Sequence, residues 1–155
     1  MNNEKKQEFT RRVAQANSTE MVVILYDMTL EYIEDAKAAG SASEDFHVAI
    51  GHIQGCLGEL INSLNCEYEP APAMKELYRY CIRRVGASEV KRDEAILDEV
   101  VKVIVPLRDA YDKIKGENTS GPVMGNSQEV YAGLTYGRND LSEVMSGDNN
   151  RGFLA

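Results

Sequence analysis

No proline occurs before Pro70, so a helix in that stretch meets no obligatory break. Cysteine is scarce and odd in number: Cys56, Cys66 and Cys81 form no Cys-x-x-Cys pair, which argues against a disulfide framework or a structural zinc site. Reduced, partly buried thiols are expected instead. Positive charge is in deficit, with 17 basic against 25 acidic residues, a net charge of −8 and a pI near 4.8. The summed field therefore repels phosphate backbones and anionic lipid, and no nucleic-acid partner is expected. No apolar run approaches the roughly 18 residues needed to span a bilayer, which excludes insertion of a single apolar helix. The opening "MNNEKKQEFTRR" is charged and is not followed by an apolar core of about 7–15 residues, so a cytoplasmic chain without a secretory signal is expected.

Catalytic constellations are equally scarce. The sequence offers no nucleophile spaced with a base and no phosphate-cradling glycine loop, so neither an enzyme nor a cofactor is expected. Glu44-x-x-His47 matches half of a di-iron device, but His52 has Ala49 three residues before it and the second half is missing. His47 then reads as a residue on the solvent side of a first helical turn.

What is present is helical periodicity in 155 residues, enough for one core. The run Met21 to Tyr26 holds six consecutive apolar residues. On a helical wheel Met21, Ile24, Met28 and Tyr32, with Leu25, Ile33 and Tyr26, spread over roughly 200° of arc, about twice what a surface helix needs. Asp27, Glu31, Glu34 and Asp35 fall on the other side. Asn17 or Ser18 can cap this first helix, Glu20 complements its first turn, and Gly40 ends it. A second helix carries Phe46, Ile50, Ile53, Leu57, Leu60 and Leu64 at spacings of 4, 3, 4, 3 and 4. A stiff connection through Pro70 and Pro72 leads to a third helix on Met74, Leu77, Cys81 and Val85. Asp93 can cap a fourth, with Leu97, Val100, Ile104, Leu107, Tyr111 and Ile114 as its seam. Pro106 lies inside it and predicts a kink.

The fold expected is all-α: an antiparallel four-helix bundle with helices over about 18–39, 45–65, 73–90 and 93–115. An N-terminal arm precedes it, and residues 117–155 follow the 1–116 domain as a linker and aromatic tail. Gly51, Gly55 and Gly58 interrupt the second helix, each costing up to about 1 kcal/mol relative to alanine. A close neighbouring helix is the expected compensation; a shallow groove for a partner's backbone is the alternative. Arg83 and Arg84 together could serve a phosphate site, but one of them, Arg83 or Arg84, is expected instead to pair with an acidic residue, Asp27 being the candidate because it interrupts an apolar segment.

These segments together resemble the FliS family of flagellar export chaperones. The family's pattern is Ser-Pro-Glu-x-Leu before Leu-Tyr-Asp, then Leu-Tyr-x-Tyr-x-x-Arg-Arg, then Leu-Arg-x-x-Trp. Here Leu25-Tyr26-Asp27 and Leu77-Tyr78-x-Tyr80-x-x-Arg83-Arg84 match in full, while Leu107-Arg108-x-x-Tyr111 has tyrosine for tryptophan. Asn17-Ser18 stands in place of Ser-Pro, and the family's tyrosine-rich start is missing, with Phe9 at one of its places. The resemblance covers residues 9 to 115 and assigns the motif residues a structural role.

It implies a chaperone that binds the C-terminal segment of flagellin, prevents premature polymerisation and aids delivery to the flagellar export apparatus, without nucleotide or metal. The groove expected to receive the partner comprises Met21, Ile24, Met28, Tyr32, Ile50, Ile53, Leu57 and Ile61. Phe9 and Val13 of the arm, or Val130, Tyr131, Leu134 and Tyr136 of the tail, are expected to cover it. A self-associating structural bundle without flagellin binding is the alternative.

Overall fold

The computed structural model describes residues 1–64, 71–118 and 121–123, and every regular element among them is helical. Helix α1, Asn3–Gln15, is capped by the Asn2 side chain, which accepts from the Lys5 N–H at 2.9 Å. The segment expected to be an arm without assigned structure is thus a helix of its own. Helix α2, Ser18–Ala39, begins on a reciprocal capping box. The Asn17 carboxamide oxygen accepts from the Glu20 N–H at 2.9 Å, and Glu20 accepts from the Asn17 N–H at 3.0 Å. Gly40, at φ 83°, ends it in a conformation that side chains disfavour.

Ser43 caps helix α3, Glu44–Asn62, which stops short of the expected residue 65. Pro70 and Cys66 lie outside the described residues. Helix α4, Ala71–Lys91, corrects the expected boundary: Pro72 sits in its first turn, where an N–H has no helical acceptor and the fixed φ suits the helix. Asp93 caps a short 3-10 turn, Glu94–Ile96, that runs directly into helix α5, Leu97–Ile114. The helix continues through Pro106 and ends in a second 3-10 turn, Lys115–Glu117.

The apolar seams explain the packing. α2 packs on α3 and α5, and α4 packs on the same two, so the four surround one core, while α1 lies against α2. Tyr26 and Ile33 of α2 and Phe46, Ile50, Ile53, Leu57 and Leu60 of α3 enter that core, together with Tyr78 and Val85 of α4. Leu97, Val100 and Ile104 complete it from α5. A second, smaller cluster of Phe9, Ala16 and Ile24, flanked by Val13, Met21 and Met28, lies between α1 and α2. The wide apolar arc of α2 is therefore divided between two contacts: Tyr26 and Ile33 face the main core, and Met21, Ile24 and Met28 face α1.

Candidate functional site

The α1–α2 contact has an apolar cluster of its own, separate from the main core. Phe9 is 7% exposed and Ile24 3% exposed, whereas Met21, Met28 and Val13 are half-buried around them. Charge closes the edge of this strip. The Arg12 guanidinium donates to Asp27 at 2.8 Å, Lys5 to Glu31 at 2.5 Å, and the Met1 amine to Asp35 at 2.5 Å. Asp27, Glu31 and Asp35 recur every four residues and so form one stripe along α2. Their partners occur in the reverse order along the chain, which runs α1 antiparallel to α2. The carboxylates expected on the solvent side of α2 are, for these three, the seat of α1's cations. The sequence signal for this was Lys5, Phe9 and Arg12 at helical spacing, outweighed by the scarcity of apolar residues around them.

Asp27 also corrects the expected pairing. One of its oxygens takes Arg12 and the other takes Arg108 of α5 at 2.7 Å, so it ties α1, α2 and α5 together. The Asp27 contact is also what raises the Arg108 guanidinium pKa. Arg83 is exposed, and Arg84 instead grips Glu99 of α5 through two bonds at 2.9 and 3.0 Å. Tyr80 donates to the same carboxylate at 3.0 Å. The Arg84 and Tyr80 hydrogen bonds hold the Glu99 carboxyl below its ordinary range. The reason is placement: α4 meets α3 and α5, while Asp27 looks out from α2 toward α1 and α5.

Three of the four aromatic motif positions, Tyr26, Tyr78 and Tyr111, meet in the core. Tyr26 shares a hydroxyl–hydroxyl bond with Tyr78, and the Tyr111 ring stands edge-on to Tyr26 at 5.8 Å. Burial pushes the Tyr78 hydroxyl up to about 12 and raises Tyr26 further in the same direction. Leu25 and Leu107 pack at the core margin, and Leu77 is 39% exposed.

The positions proposed from sequence as a groove divide sharply. Ile50, Ile53 and Leu57 are fully enclosed in the main core, and a molecule lying on this surface does not reach them. Ile61 sits at the core margin. Tyr32 stacks on His52 with ring centroids 4.6 Å apart and, with Asp35, Val48 and Ala49, lines a cleft of about 450 Å³ between α2 and α3. Met21, Ile24 and Met28 lie under α1, where Phe9 and Val13 cover them. Val130, Tyr131, Leu134 and Tyr136 lie outside the described residues.

Gly51, Gly55 and Gly58 overturn the expectation of a close helix. A Cβ built at any of the three meets no atom within 4 Å, since the neighbours of α3 pack on its opposite, apolar side. Gly55→Ala is therefore expected to raise the urea unfolding free energy by about 0.5–1 kcal/mol; a loss of stability would mean that a neighbour does press on that face. His47 is exposed and pairs with Glu89 of α4, whose hydrogen bond raises the imidazole pKa. Among the described residues no three His, Cys, Asp or Glu side chains gather as metal ligands, and no helix is long and apolar enough to cross a membrane.

Residues 1–118 match the family model described as flagellar protein FliS. The flagellar secretion chaperone FliSB of Pseudomonas aeruginosa is 27% identical over 107 residues, a match spanning 66% of this chain and 85% of that protein. No solved structure gives a significant match. The matched span takes in α1, all four core helices and the motif residues Tyr26, Asp27, Tyr78, Arg84, Arg108 and Tyr111, and on that basis the chain belongs to the FliS family, a family of flagellar chaperones and not of enzymes.

Proposed function

We propose that this protein is a cytoplasmic export chaperone that binds the C-terminal segment of flagellin, prevents its premature polymerisation and aids its delivery to the flagellar type III export apparatus. The observation that supports this reading best is the apolar strip of Met21, Ile24 and Met28, covered by a helix outside the main core rather than buried within it. A four-helix antiparallel platform keeps its own core when such a cover leaves, because Tyr26, Ile33 and the α3 seam do not depend on α1. An amphipathic segment that folds on binding needs an apolar strip with a polar rim, and the uncovered face of α2 supplies one. Tyr32, on the neighbouring cleft, extends the same face. The residues proposed to receive flagellin are thus Met21, Ile24, Met28 and Tyr32.

The test is a titration of the full chain with a flagellin C-terminal peptide. Saturable one-to-one binding is expected. Concentration-dependent dimerisation with no peptide binding would replace this reading with self-association. Deleting residues 117–155 is expected to raise peptide affinity or to expose dye-binding surface, and no change in either would remove the tail from the mechanism.

A further inference from the structure

The elbow between α1 and α2 is two residues long, Ala16 and Asn17, both in extended conformation and both at least nine-tenths buried. Ala16 packs with Phe9 and Ile24 in the cluster between α1 and α2. Beneath the elbow lies a cleft of about 230 Å³ bordered by Arg12, Gln15, Ala16, Glu20, Ile24 and Lys115, so the last turn of α1 rests partly over open space. What closes on the elbow is the chain beyond α5. The Val123 N–H donates to the Ala16 carbonyl at 2.8 Å, supplying a partner for one of the carbonyls that a helix end leaves unpaired. The Asn17 side chain donates to the Asn118 carbonyl at 3.1 Å while its oxygen is committed to the capping box. The Asn118 side chain in turn donates to the Ser18 hydroxyl at 3.1 Å and the Thr19 hydroxyl at 2.9 Å.

We infer that Asn118 and Val123 are a latch on the Ala16–Asn17 elbow, and that their hold sets how readily α1 swings away from Met21, Ile24 and Met28. Ala16 and Asn17 are the only residues between the two helices, so α1 leaves α2 by changing their backbone angles. In the closed state the Ala16 carbonyl and the Asn17 carboxamide point at the latch; rotation at the elbow breaks both bonds. Anything that draws the chain after α5 away from the elbow then favours opening, and opening in turn releases that chain, because coupling between two equilibria is reciprocal. The latch's bearing on partner access rests on reading the α2 strip as the binding surface, whereas opening itself is measurable with no partner present.

The experiment is amide hydrogen exchange on the full chain and on Asn118→Ala, Val123→Pro and the double variant. Asn118→Ala deletes the bonds to Ser18 and Thr19, and Val123→Pro deletes the donor to Ala16. Each single variant is expected to speed exchange of the α1 amides about fivefold, and the double variant, which loses all three bonds, about tenfold to thirtyfold. Exchange in α3 and α5 should stay unchanged and serves as the control for folding. Unchanged α1 exchange in the double variant overturns the inference. So does faster exchange confined to the Glu20 and Met21 amides, which would make the contacts a support for the start of α2 only.

Discussion

Tyr26→Ala is expected to lower the unfolding free energy by about 3–5 kcal/mol, a large share of the 5–15 kcal/mol typical of a domain. The side chain is fully buried, its ring lies at contact distance from both Tyr78 and Tyr111, and its hydroxyl bonds to Tyr78. Alanine leaves a ring-sized void and strips the Tyr78 hydroxyl of this partner. Tyr26→Phe separates the two contributions. It keeps the ring but leaves a buried hydroxyl short of one bond, worth about 1–3 kcal/mol. Adding Tyr78→Phe to it should recover part of the loss, since removing both polar partners leaves neither stranded. Urea unfolding of the four proteins decides it, and a Tyr26→Ala loss below about 1 kcal/mol would show that the cluster does not carry the core. The same pair fixes a pH dependence. Both hydroxyls ionise less readily folded than unfolded, so their contribution is fully present below about pH 10. It is lost as pH rises from there, because the unfolded chain releases protons that the folded one retains.

Much of this was legible from the sequence because local chemistry decided it. The capping box needs only Asn17 and Glu20 three residues apart, and α2 does run from Ser18 to Ala39 as that pair and Gly40 foretold. The α3 seam at spacings of three and four placed Phe46, Ile50, Ile53, Leu57 and Leu60 on one side, which the core fills. The same periodicity does not separate groove from core, so it marks Ile50, Ile53 and Leu57 as groove positions although the main core encloses them. What escaped was information about neighbours. Asp27 stood out as an acid in an apolar run, but its partners are Arg12, 15 residues earlier, and Arg108, 81 residues later, and nothing local to either marks the pair. α1 was missed because a helix that lays down one buried phenylalanine and a row of ion pairs has almost no hydrophobic pattern to read. The glycines misled in the opposite direction: helix-breaking cost implies compensation, yet the face they leave is open.

Phe9→Ala is expected to tighten binding of a flagellin C-terminal peptide by about tenfold to a hundredfold. If the strip on α2 accepts a partner only when α1 is away, the apparent dissociation constant is the intrinsic one divided by the open fraction. Phe9 is the only residue of α1 proper that is buried, so it carries most of the apolar grip of α1 on Ile24. Removing a buried phenyl ring weakens that grip by about 1.5–3 kcal/mol, and each 1.4 kcal/mol multiplies the open fraction by ten until the open state predominates. The remaining hold includes the ion pairs Arg12–Asp27 and Lys5–Glu31, and salt screens such half-exposed pairs. Peptide affinity in Phe9→Ala should therefore also rise with ionic strength until opening is complete. Arg12→Ala opens α1 at less expense to the fold, because Asp27 retains Arg108 at 2.7 Å. Isothermal titration of the three proteins at low and high salt distinguishes the outcomes. Tighter binding in both variants identifies α1 as a competitor of the partner for α2. Weaker binding in Phe9→Ala, with Arg12→Ala unchanged, would instead put the Phe9 ring in direct contact with the peptide and make α1 part of the site it was expected to cover.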